Sequence, residues 1–109
     1  MESVEHLQEE LNELLGLHSL RAVVDKTSTM FPTSTELYIS LTVNIEESES
    51  GERLDTFGMV RPFEEGYDNS SYQEFLEEVY NTFLRNWVVG GYKKGLEKKL
   101  DAKKNVKEG

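Results

Sequence analysis

Residues 37–45 read LYISLTVNI. Leu37, Ile39, Leu41, Val43 and Ile45 alternate without a break against Tyr38, Ser40, Thr42 and Asn44. Successive side chains of a strand point to opposite faces, so this period of two predicts a strand with one buried face and one solvated face. Such a strand needs partners at its edges and a cover over its apolar side. Downstream, EESESGE (residues 46–52) reads as a turn, and Arg53–Arg61 as the start of a return strand. Leu54 and Val60 suit one face of that strand and Phe57 and Met59 the other. The conflict predicts either cover on both faces or a bulge near Gly58. Upstream, Leu20, Ala22 and Val24 alternate within Ser19–Thr29, which predicts a further strand. Met30–Thr35 reads as a loop, because Pro32 lacks an N–H and restricts Phe31, and Pro62–Ser70 reads as a polar loop.

The cover is supplied by helices. Val4, Leu7, Leu11, Leu14 and Leu15 recur at three- and four-residue spacing, with Glu2, Glu5, Glu9 and Glu13 opposite them. Gly16 is the expected stop, since glycine accepts the left-handed conformation that ends many helices. Ser71-Tyr72-Gln73-Glu74 fits a capping box. From there Tyr72, Phe75, Leu76, Val79, Tyr80, Phe83, Leu84, Trp87 and Val88 follow helical spacing. Gly90-Gly91 interrupts, and Tyr92, Leu96 and Leu100 resume among lysines. The expected fold is α+β: a single two-layer domain over residues 1–100 in the order α-β-β-β-α-α. In it an antiparallel three-stranded sheet is covered by helices, and a frayed basic tail follows over 101–109.

Charge is divided unevenly along this chain. Met1–Tyr92 holds eighteen Asp/Glu against five Lys/Arg, whereas Lys93–Gly109 holds seven Lys against three acids, for a net −9. An acidic body repels bare nucleic acid and anionic membrane, which argues against direct contact with either. The chain has no cysteine, so a disulfide framework and a thiolate metal site are both out of reach. Its start, Met1-Glu2-Ser3-Val4-Glu5, lacks an apolar signal core, and its apolar runs fall far short of the roughly 20 residues of a membrane span. A soluble, cytoplasmic protein is expected. Asn69-Ser70-Ser71 matches a glycosylation acceptor but is read as the loop that starts a helix.

No catalytic constellation emerges. His6 and His18 have no partners at ligand spacing. The carboxylates sit on polar helix faces and in turns, where solvent keeps their pKa values ordinary. Glu46–Asp55 lacks the ligand pattern of an EF-hand loop, and Gly90-Gly91 lacks phosphate-loop spacing. The expectation is a non-enzymatic protein without cofactor or metal. The double-stranded-RNA-binding domain shares the order α-β-β-β-α, but it meets phosphates with basic residues at its second helix. Here Glu74, Glu77 and Glu78 stand at that position.

What remains is the acidic surface. Glu5, Glu9 and Glu13 form a row with about 6 Å of rise per step, similar to the step between phosphates along a strand. Glu46, Glu47, Glu49, Glu52, Glu64, Glu65 and Asp68, close in sequence to strand ends, are the expected partner-facing carboxylates. In size, charge and mixed α/β make-up the chain resembles the small acidic inhibitors of phages and mobile elements, including anti-restriction and anti-CRISPR proteins. That resemblance implies a monomer or homodimer that mimics nucleic acid and occludes the basic groove of a nucleic-acid-binding protein, such as a host nuclease, in the host cytoplasm. The alternative is an oligomeric assembly or accessory protein that binds through its apolar helices. The lysines of residues 93–104 serve either as charge balance for the acidic body or as a basic handle.

Overall fold

In a computed structural model, which describes residues 1–30, 36–64 and 66–108 and side chains through residue 102, the stretch 37–45 is the centre of the middle strand. Strands β1 (Leu20–Met30), β2 (Glu36–Glu47) and β3 (Arg53–Glu64) form one antiparallel sheet in the order β1-β2-β3. Helices α1 (Val4–Leu15), α2 (Asn69–Val88) and α3 (Tyr92–Glu108) complete the α+β order α-β-β-β-α-α. The helix α3 carries the backbone on to Glu108, through the segment read as a frayed tail. Of the loop expected at Met30–Thr35, Met30 closes β1 and the remainder lies outside the described residues.

Ile39, Leu41, Val43 and Ile45 of β2 are fully buried beneath Phe75, Val79, Phe83 and Trp87 of α2, and Leu37 is partly so. Leu7, Leu11 and Leu15 of α1 close the same core over Leu20, Ala22 and Val24 of β1. Phe83 is the hub of the aromatic packing, with Phe57, Trp87 and Tyr92 at ring-centroid distances of 5.7, 6.1 and 5.5 Å. Leu96 of α3 is buried, Lys99 donates to the Leu54 carbonyl at 3.2 Å, and the Tyr92 phenol is pushed above its ordinary range, by burial first and the Asp55 carboxylate second.

The faces of β3 resolve differently from either sequence expectation. Phe57, Met59 and Phe63 turn toward the helices with Asp55 and Arg61, while Val60 is 63 % exposed. Gly58 pairs in register with Thr42, and the irregularity lies at the hairpin end. Ile45 faces Asp55 and Glu46 faces Arg53, which leaves Leu54 as the extra residue. Beyond Arg61 the strand continues through Pro62 to Glu64, where a loop was expected.

The edge of β1 explains why Pro62 is tolerated. Ala22 donates its N–H to Asn12 Oδ1 (2.7 Å) and accepts from Asn12 Nδ2 (3.2 Å), and Val24 donates to Gln8 Oε1 (2.9 Å). Ala22 therefore turns its peptide groups away from β2. Alternation across the ladder then points the peptide groups of Thr56, Gly58, Val60 and Pro62 to the outer edge of β3. A proline nitrogen there forfeits no bond within the sheet.

Two helix ends also differ from expectation. Gly16 is right-handed (φ −58°) and opens a short 3₁₀ turn, Gly16–His18, and the left-handed residue is Ser19 (φ 61°). The cap of α2 is Asp68, which accepts from the Ser71 N–H at 3.0 Å, so Ser71 is already inside the helix. Both Asp68 and Ser71 suit a cap chemically, and the earlier residue wins because the chain leaves β3 close by.

Candidate acidic interface

The fold separates the six described carboxylates among the seven expected to face a partner. β3 runs from Arg53 to Glu64, so Glu46, Glu47, Glu49 and Glu52 lie at one end of the sheet and Glu64 and Asp68 at the other. At about 3.3 Å per residue the two groups stand roughly 36 Å apart. Glu65 lies outside the described residues. Glu46 is 18 % exposed and accepts from Arg21 Nε at 2.8 Å. Glu47 is half-buried at the hairpin neck, where its N–H meets the Glu52 carbonyl and its own carbonyl meets the Gly51 N–H, both at 2.9 Å. Glu49 and Glu52 are exposed in the turn.

At the far end Glu64 is exposed beside Glu36, its cross-strand partner. Like charges placed directly opposite repel, and Tyr38 donates to Glu36 Oε2 at 3.0 Å, which raises the phenol. Asp68 is engaged with its own helix. The backbone N–H of Ser71, first, and its hydroxyl, second, hold the Asp68 carboxyl below its ordinary value of 3.8. A lowered folded value stabilises the fold above the unfolded pKa, and that contribution is lost as pH falls through the folded one. Asp68→Asn keeps a capping oxygen but removes the titration. Thermal melts across pH should show wild type above the variant at neutral pH, with the gap closing below pH ~4.

The helices carry a further set of exposed acids. α1 runs antiparallel to β1, since Gln8 and Asn12 meet Val24 and Ala22 in turn. α2 runs antiparallel to β3, with Phe75 by Phe63 and Phe83 by Phe57. Because β1 and β3 point the same way, α1 and α2 are parallel neighbours. Their exposed sides carry Glu2, Glu5, Glu9 and Glu13 from the first chain segment and Glu74 and Glu77 from α2. The Met1 amine bridges the two helices through Glu77 Oε1 at 2.7 Å. An open groove of about 570 Å³ follows α2, lined by Met1, Gln73, Glu74, Glu77, Asn81 and Arg85 among others. Sequence reasoning found the row on α1, preferred the acids near the strand ends as partner-facing, and did not join that row to Glu74 and Glu77. The signal that could have found them is that both helices reserve their polar faces for glutamate, and both must cover the same side of one small sheet.

The histidines sit apart. His6 lies 3.4 Å from Glu10, and His18 lies against the Trp87 ring with Glu97 at 3.8 Å. Among the described residues no group of three or more His, Asp or Glu converges on a common point, and no helix is long and apolar enough to cross a membrane. No family model matches the chain, and neither the curated proteins nor the solved structures contain a match.

Proposed function

We propose that this protein is a non-enzymatic acidic binder that occludes the basic, nucleic-acid-binding surface of a partner protein. The observation that supports the reading is the pairing of parallel acidic helix faces, Glu2, Glu5, Glu9 and Glu13 beside Glu74 and Glu77. Along α1 the carboxylates step by about 6 Å, and helices in contact lie about 8–10 Å apart. Two such rows present a rigid lattice of negative charge, so little ordering entropy is lost when a lysine- and arginine-lined groove closes on it. The sheet-end acids become flanking charges in this reading rather than its centre.

The test is a titration of a partner captured from host lysate, at two ionic strengths, with two triple reversals. Glu5, Glu9 and Glu13 to lysine should weaken binding by more than about a hundredfold and flatten its salt dependence. Glu46, Glu47 and Glu49 to lysine should have a smaller effect. Circular dichroism should show the helix variant folded, because exposed charges add little to stability, and it checks the sheet-end variant, in which Glu46 loses its pairing with Arg21. Equal affinity of both variants and the wild type would remove the mimicry reading. A second reading, an assembly protein joined through apolar contacts, is favoured by Leu17, Val88 and Val89, which are 84, 71 and 80 % exposed. Leu17 precedes His18, whose ring rests on Trp87, the residue before Val88.

A further inference from the structure

The two edges of the sheet are finished differently. α1 closes the first half of the β1 edge through Gln8 and Asn12, and Lys26 places a charge in the second half. The β3 edge has no such cover around its centre. Among the described residues no group bonds the outward peptide groups of Gly58 or Val60, and both residues are exposed. The open stretch is bounded on both sides, by the extra residue Leu54 and by Pro62, which has no N–H to offer.

We propose that two copies of this chain pair antiparallel through the β3 edge, with Gly58 opposite Gly58 on a two-fold axis, forming one six-stranded sheet. In that register Thr56 meets Val60 of the second copy and Val60 meets Thr56. Gly58, Thr56 and Val60 all point their peptide groups outward, so these are the hydrogen-bonded pairs of an antiparallel ladder, two bonds each. The ladder ends where Pro62 comes opposite Leu54, so the segment specifies its own register and length.

Charge complementarity favours a second copy over an unrelated strand. The same register sets Asp55 opposite Arg61 of the second copy, and Arg61 opposite Asp55. Opposite charges across an antiparallel pair stabilise it. Within one chain Asp55 Oδ1 accepts from the Thr56 N–H at 2.9 Å and Lys99 lies 3.8 Å from Asp55. Arg61 is paired with Glu78 and stacked over Phe75. Pairing would exchange the Thr56 contact for a carbonyl and place each Lys99 end beside the other copy's Glu78 end. The division of charge along the chain then has a use: the basic α3 of each copy lies next to the acidic start of α2 in the other. This inference stands independently of the mimicry reading, because it concerns a different face and needs no foreign partner.

Gly58→Cys is the decisive variant. The chain has no cysteine, and a Cβ at Gly58 meets only Leu41 O at 3.7 Å and Thr42 Oγ1 at 3.8 Å, which are ordinary contacts. A hydrogen-bonded antiparallel pair spaces its Cα atoms about 5.5 Å apart, within disulfide range. Under mild oxidation with glutathione disulfide, Gly58→Cys should form a covalent dimer far faster than Thr27→Cys, an exposed position on β1. In sedimentation equilibrium the wild type should run at twice its 12.5 kDa chain mass. Val60→Pro, which removes one outward N–H as Pro62 does, should weaken that dimer by at least about tenfold. A monomer at every concentration, cross-linking of Gly58→Cys no faster than of Thr27→Cys, or a dimer unaffected by Val60→Pro would each overturn the proposal.

Discussion

Phe83→Ala is expected to destabilise the fold by about 3–5 kcal/mol, the usual range for truncating a fully buried aromatic. Phe83 is inaccessible to solvent and touches rings from three elements: Phe57 of β3, Trp87 of α2 and Tyr92 of α3. Its removal leaves a cavity that none of these can fill without leaving its own place in the layer. A domain of this size holds about 5–15 kcal/mol in total, so the loss is a large share of native stability. Urea denaturation followed by Trp87 fluorescence measures the loss directly. A midpoint within experimental error of wild type would mean that α2 does not anchor the core.

The second large effect is expected at Asn12. Its amide holds both peptide groups of Ala22, and Asn12→Ala leaves a partly buried N–H and carbonyl without a partner. The cost should be about 2–3 kcal/mol, offset by about 0.6 kcal/mol from the better helix propensity of alanine. Asn12→Asp should fall between, since it keeps an acceptor for the Ala22 N–H and loses the donor. Amide exchange at Ala22 should quicken in Asn12→Ala by about as much as the measured loss of stability implies. Normal protection at Ala22 in that variant would show that water replaces the side chain at little cost.

The middle strand was legible because its alternation is long and uninterrupted, and Ile39, Leu41, Val43 and Ile45 are buried as that pattern demands. The core face of α2 was legible for the same reason at helical spacing. The extent of β3 was not. A proline inside a strand is tolerated or excluded according to which way its nitrogen points, and that is fixed by pairing, not by neighbours in sequence. The start of α2 was misplaced because Asp68 and Ser71 carry equivalent capping chemistry three residues apart. Gly16 was misread because the reversal can fall on any residue after the last turn, and here it falls on Ser19.

The spatial arrangement of the acids was not legible for a different reason. Glu46 to Asp68 are neighbours in sequence, but a strand of twelve residues lies between the two groups and carries them to opposite ends of the sheet. The nearness of α1 to α2 joins segments some sixty residues apart, and depends on two helices choosing the same side and direction. Periodicity reveals each face but not which faces become neighbours.

The parallel run of α1 and α2 makes the molecule a polarised body. Both helices end on the side of the hairpin, where Arg21 meets Glu46 and where Lys99 of α3 stands beside Leu54 and Asp55. Positive and negative groups there largely cancel. Both helices begin toward the opposite side, with Glu2, Glu5, Glu74 and Glu77, and beyond them Glu36, Glu64 and Asp68. The result is a permanent electric moment along the strand direction, negative at the end where the helices start. In the field of a cationic surface such a body experiences a torque as well as an attraction, and it turns its negative pole forward before contact. Encounters are then pre-aligned. A single chain presents one such pole, whereas a two-fold pair with antiparallel β3 strands cancels the moment along the strands, so orientation during approach depends on whether the chain travels singly or as a pair.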